Sequence, residues 1–187
     1  MIELIRTHGL EYSGIITALL GVFYSIKQQK IAWIWNFIAS CIYGILFYQV
    51  GLYSDMELQG IFMAMAIYGF IQWNQPSQWL EVTTSSGTNL IIGIGGSILF
   101  GVVSGYLHRE LTNASLPFLD ATLTGLSIWA TYLAAKMKIE NWLVWILVNI
   151  IYVGIYFYKE MHGTAVLYII FLIFAFRGFY TWEKKLS

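Results

Sequence analysis

One apolar stretch of the chain, Glu140-Asn141-Trp142-Leu143-Val144-Trp145-Ile146-Leu147-Val148-Asn149, carries tryptophan and asparagine in a pattern suited to holding a ligand. In a helix, Trp142, Trp145 and Asn149 follow i, i+3, i+7 spacing and share one face. Tyr152 extends that face by another turn. The indole rings offer flat π-surfaces, and the amide offers both a donor and an acceptor. Such a face could stack a planar ring, a cationic one included, while the amide grips hydroxyls. Trp142 has a second reading, because it stands at the start of its segment, where aromatic residues commonly anchor a helix at the membrane boundary. Asn149 lies about two turns in, roughly 10 Å at 1.5 Å per residue. An amide at that depth must face a partner helix or a wet cavity; the cavity is the reading favoured here.

A similar constellation stands in the first half of the chain. Trp33, Asn36, Ser40 and Tyr43 share a helix face, whereas Trp35 and Cys41 fall off it and read as packing. Further along, Gln59 lies just inside an apolar segment, followed by Tyr68 and Gln72. An amide without a partner in lipid is costly, which marks Gln59 as a candidate site residue. The charged residues read more plainly: Glu11, Asp55, Glu57 and Asp120 sit near the mouths of apolar segments. Arg177 is embedded, but close enough to a segment end to snorkel to the surface. With no carboxylate expected at mid-membrane of the kind that relays protons, the expectation is facilitative transport without ion coupling.

Enzyme chemistry finds little footing. The chain has no GxxxxGK[ST] loop for ATP, and His8, His108 and His162 lack the HExxH spacing of a metal site. The Gly93-Ile94-Gly95-Gly96 run opens no strand-turn-helix unit, so no dinucleotide cofactor is expected, and its glycines read as sites of close helix packing. The single cysteine can form no disulfide within the chain. A formal net charge of zero gives no support to a nucleic-acid partner.

The elements that must position these residues follow from composition. Hydrophobic residues make up 58% of the 187 and charged ones only 11%, with a mean hydropathy of +0.67. A soluble domain carries about 25% charged residues; this chain has too little polar surface to coat a particle in water. A membrane helix needs about 20 mostly apolar residues. Seven segments qualify, near 9–26, 32–50, 57–74, 89–107, 116–135, 142–158 and 164–182. Backbone amides in hydrocarbon must be paired internally, which predicts helices, and the alternation of a membrane β-barrel is missing. The N-terminal residues lack the pattern of a cleaved signal, so the first segment is expected to remain. Lys27, Lys30, Lys136, Lys138, Lys184 and Lys185 fall in one set of loops, and Arg6, Arg109 and Lys159 in the other. The lysine-rich side is expected to be cytoplasmic, with the N-terminus outside and the C-terminus inside.

The chain also repeats itself. A shift of 109 residues carries Trp33 onto Trp142, Tyr43 onto Tyr152, Gly69-Phe70 onto Gly178-Phe179, and Trp73 onto Trp182. Lys27 falls on Lys136, and the acid Glu11 on the acid Asp120. Each repeat holds three helices, 9–74 and 116–184, and the segment near 89–107 is left as an unmatched linker helix. This predicts a single all-α transmembrane domain with two parallel three-helix bundles in a three-plus-one-plus-three order. Parallel repeats of this kind are a transporter architecture, with substrate expected near mid-membrane between them.

The run Glu140-Asn141-Trp142-x-x-Trp145-x-x-x-Asn149 closely resembles the signature of the PnuC family of bacterial vitamin transporters. The segments Leu52-Tyr53-x-Asp55-Met56-x-Leu58-Gln59, Ile67-Tyr68-Gly69 with Trp73, and Thr164-Ala165-x-Leu167-Tyr168 are similar to further family regions. The resemblance implies a seven-helix fold like that of the SWEET sugar transporters, assembled as a homotrimer in the bacterial cytoplasmic membrane. It implies import of nicotinamide riboside by facilitated diffusion, with a cytoplasmic kinase trapping the vitamin by phosphorylation. Relatives carry thiamine or riboflavin, and thiamine, also a flat cation, suits the same face. Trp142, Trp145 and Asn149 would belong to the substrate site, joined by Gln59. The first repeat has Ser40 where the second has Asn149, so the halves cannot contact substrate symmetrically.

Overall fold

The computed structural model describes residues 2–49, 53–75, 81–111 and 116–186. They form seven α-helices: α1 Ile2–Ile26, α2 Ile31–Gln49, α3 Tyr53–Trp73, α4 Gly87–Leu111, α5 Pro117–Ala135, α6 Glu140–Tyr158 and α7 His162–Glu183. Each coincides with one of the apolar segments. The protein is all-α; strand-like pairing among the described residues is limited to two isolated bridges.

Among the described residues, five stretches are long and apolar enough to cross a membrane: Gly9–Ile26, Ile31–Gln49, Gly87–Leu107, Glu140–Tyr158 and His162–Glu183. In α3 the apolar stretch is the shorter Leu58–Trp73, because Asp55 and Glu57 occupy the helix entry. α5 falls short in hydropathy despite its length, for it carries Asp120, Thr122, Thr124, Ser127 and Thr131. Three of these hydroxyls are satisfied inside the helix. Thr122 donates to the Phe118 carbonyl at 2.7 Å, Ser127 to Leu123 at 2.9 Å and Thr131 to Ser127 at 2.7 Å. Back-bonding of this kind removes the need for water, so α5 is less polar than its composition implies.

The chain forms two compact units, Met1–Leu80 and Glu81–Ser187. In the first, α2 packs against both α1 and α3. In the second, α4 lies on α5, α5 on α6, and α6 on α7. Thr122 and Trp129 of α5 come down onto Gly101 and Gly93 of α4, where a Cβ would collide with them. Gly95 and Gly96, in contrast, face open space.

Positions related by the shift of 109 share local geometry. Gln28, after α1, has φ 56°, and Met137, after α5, has φ 54°. In the first turn Gln29 N–H donates to Tyr24 O at 3.0 Å; in the second Lys138 N–H donates to Leu133 O at 2.9 Å. A left-handed residue with a six-to-one bond behind it is the usual way to close a helix and reverse the chain. Here the bonds hold non-glycine residues in that conformation.

In the second unit, the segment before α4 is strapped across the turn between α5 and α6. Thr83 N–H donates to Met137 O at 3.1 Å, and Ile139 N–H returns a bond to Thr83 O at 3.1 Å. Val82 pairs with Leu186 beyond α7 and is 1% exposed. Lys138 Nζ reaches Thr83 Oγ1 and Thr84 O, while Ser85 N–H donates to Glu140 Oε1 at 2.8 Å. Residues 76–80 of the polar connection lie outside the described residues.

Candidate functional site

The α6 face that carries Trp142, Trp145, Asn149 and Tyr152 is divided between two neighbours. Trp142 turns to α7. Its ring meets that of Trp182 edge-on, centroids 5.4 Å apart at 88°, and lies over Gly178, where a Cβ would stand 2.6 Å from it. Only glycine permits so close an approach. Trp142 is 3% exposed, and its indole N–H is buried without a hydrogen-bond partner among the described residues. Trp145 turns to α5 and stays half-buried, against a core of Leu123, Ala130, Leu133, Val144 and Val148.

Asn149 lies beside that core at 4% exposure. Its amide is not one of the fully buried unpaired groups of α6, which among the described residues are Glu140 Oε2 and Trp142 Nε1. Asn141, on the same helix, is also buried, and its amide donates to the Lys138 carbonyl at 2.6 Å. Asn141 is thus a structural amide of the helix start, and Asn149 a buried amide about two turns further in.

Tyr152 is the hub of an aromatic cluster. It stacks on Tyr156 at 5.8 Å and 20°, and both rings lean on Tyr168 of α7, at 4.8 and 5.1 Å. Its hydroxyl donates to the Asp120 carboxylate and accepts from Thr124, both on α5. With that hydroxyl engaged, Tyr152 has only its ring to present. Asp120, read from sequence as a plain helix-mouth acid, is therefore a fastening between α5 and α6. Tyr156 and Thr124 were missed by sequence reasoning; the repeat could have pointed to the fastening, since Glu11 and Tyr43 match Asp120 and Tyr152.

The first unit repeats parts of this arrangement. Trp33 meets Trp73 edge-on at 5.4 Å and 87°, and lies over Gly69. Its indole N–H too is buried without a partner among the described residues. Tyr43 stacks on Phe47 at 6.0 Å, lies against Gly14 and is within electrostatic reach of Glu11. Asn36 presses its amide oxygen onto Gly21 of α1, and Gln59 stands against Gly44 of α2. Ser40 is buried and Tyr68 half-buried.

Helices apolar enough to cross a membrane, with a buried polar and aromatic face on α6, fit a polytopic membrane transporter, and the protein's relatives are transporters. The chain belongs to the nicotinamide mononucleotide transporter family, whose profile matches residues 8–184. It is 28% identical to the nicotinamide riboside transporter PnuC of Escherichia coli (strain K12), over 92% of this chain and 84% of that one. It is 23% identical to the protein of the same name from Neisseria mucosa, over 90% of this chain and 70% of that one. The crystal structure of the vitamin B3 transporter PnuC has a similar fold, with a TM-score of 0.74 at 20% identity. That likeness covers 94% of this chain and 80% of the other.

Proposed function

We propose that this protein is a uniporter for nicotinamide riboside in the bacterial cytoplasmic membrane, with its N-terminus outside and its C-terminus in the cytoplasm. The whole chain acts as one transport domain, in which repeats 9–74 and 116–184 are joined by the helix at 89–107. It works as a homotrimer and by alternating access, and phosphorylation inside the cell keeps the vitamin from returning.

The observation that supports this reading is the buried Asn149, one turn from the half-buried ring of Trp145. A ribose hydroxyl would bond to the amide, and the cationic pyridinium ring would stack on the indole. Trp142 and Tyr152 support this pair from either side. Trp33, Asn36, Tyr43, Gln59 and Tyr68 are the first unit's contribution to substrate contacts. The relatives' names favour the riboside, and so does the chemistry of α6: Glu140–Tyr158 contains no lysine or arginine to meet the phosphate of a mononucleotide.

Entry of labelled nicotinamide riboside into sealed proteoliposomes tests the proposal. Saturable entry, blocked by unlabelled riboside but neither by thiamine nor by the mononucleotide, is expected. Competition by thiamine alone would keep the transporter and overturn the substrate. Binding without entry into the lumen would make the protein a receptor.

A further inference from the structure

We propose that Arg177 and Lys184 bind the headgroup phosphate of an anionic phospholipid at the end of α7. Arg177 lies within the membrane-crossing stretch His162–Glu183 and is exposed. Val166, Ile173, Phe176 and Tyr180 around it on α7 are exposed as well. A guanidinium on such an apolar face is surrounded by lipid, and there it requires a counter-charge. No ion pair or side-chain hydrogen bond engages it among the described residues.

The face supplies the rest of a headgroup site. Lys184 is seven residues on from Arg177 and falls on the same side of the helix, about 10 Å further along the axis. Tyr180 stands between the two, 59% exposed, at the level where amphipathic rings gather in a bilayer. Glu183 is turned about 120° away from Arg177 and does not neutralise it. The Thr181 hydroxyl is already spent on the Arg177 carbonyl at 2.7 Å. Arg177 lies six residues before the end of the helix, about 9 Å in, so its planar fork can reach outward to a phosphate and grip it with two bonds.

Charge gives the sign of the lipid. The bridges Val82–Leu186 and Thr83–Lys138 put Lys138, Lys184 and Lys185 at the same end of the unit. Two cations against one phosphate leave excess positive charge, which favours a headgroup without a cation of its own. The exposed side chains of Ile173 and Val166, running away from the headgroup level, fit an acyl chain, which inorganic phosphate does not possess.

The test is thermal stability of the full chain in nanodiscs of phosphatidylglycerol and of phosphatidylcholine, together with native mass spectrometry of the lipids retained on release. A higher midpoint in phosphatidylglycerol is expected, with that lipid retained. The double variant Arg177→Gln/Lys184→Gln should lose both the difference in midpoint and the retained lipid, and Arg177→Lys should keep part of each. Lys159→Gln, at the other end of α6, should behave as wild type. Equal wild-type midpoints in the two lipids, an unaltered difference in the double variant, or an equal loss in Lys159→Gln would overturn the proposal. So would an equivalent rise produced by inorganic phosphate in phosphatidylcholine discs, which would assign the site to free anions.

Discussion

Trp142 stands edge-on to Trp182 with centroids 5.4 Å apart, and Trp33 stands in the same relation to Trp73 at the same distance. Each lead ring lies over a glycine of the following helix, Gly178 or Gly69. The edge-to-face pair joins the positive rim of one ring to the negative face of the other and adds about 0.5–1.5 kcal/mol to the burial itself. In both units this contact fixes the second helix of a repeat against the third. It holds at its base the helix on which the site residues ride.

Gly178→Ala should therefore destabilise the protein. The new methyl would stand 2.6 Å from the Trp142 ring, and overpacking of this kind costs about 1–3 kcal/mol. Alanine's better helix propensity returns about 1 kcal/mol. Gly154→Ala, with nothing within 4 Å of the added Cβ, should be neutral or slightly stabilising. Thermal unfolding in detergent checks the pair; equal midpoints for both variants would refute the packing role of Gly178.

Tyr152→Phe separates ring from hydroxyl. The variant loses the bonds to Asp120 and Thr124 and should be less stable by about 1.5–3 kcal/mol, the range for a hydrogen bond to a charged group. Substrate affinity should stay within about twofold, a change well under 1 kcal/mol, because only the ring is offered to the site. Asp120→Ala should reproduce the loss of stability. A large loss of affinity in Tyr152→Phe with stability intact would mean that the hydroxyl contacts substrate.

The strap before α4 should be held by side chains as well as backbone. Glu140→Ala removes the acceptor of Ser85 N–H, and Lys138→Ala frees Thr83 and Thr84. Both variants should exchange amide hydrogens faster across residues 83–86, while the middle of α6 remains protected. Exchange mass spectrometry reads this directly, and unchanged rates in the double variant would leave the strap to Val82 and the backbone alone.

The helices were legible because the apolar runs match the seven elements to within a few residues, except that α1 begins at Ile2, well before the run at 9–26. The shift of 109 also made visible the tryptophans and the acid–tyrosine positions, since spacing is a property of the chain. Partners were not legible. Trp142 and Trp145 share a helical face by spacing, yet one serves α7 and the other α5, and only tertiary packing decides between neighbours. The strap at 81–86 is short and polar without periodicity, and its bonds go to residues more than fifty positions away. α5 forms a helix over the expected segment in spite of its polarity, and the back-bonding that satisfies three of its hydroxyls cannot be read from composition.

If the Asn149 amide serves the substrate, Asn149→Leu should weaken binding without weakening the fold. Thermal midpoints of wild type and variant should be measured without ligand and through a titration with nicotinamide riboside. Without ligand the variant should be as stable as wild type or more so, because leucine adds apolar contact beside the core of Leu123, Val144 and Val148. Wild type should gain stability as the riboside passes its dissociation constant, and the variant's response should be shifted by at least about tenfold in concentration, or about 1.4 kcal/mol. A variant that is destabilised without ligand yet responds to the riboside at the wild-type concentration would make Asn149 a bond between helices and remove it from the substrate site.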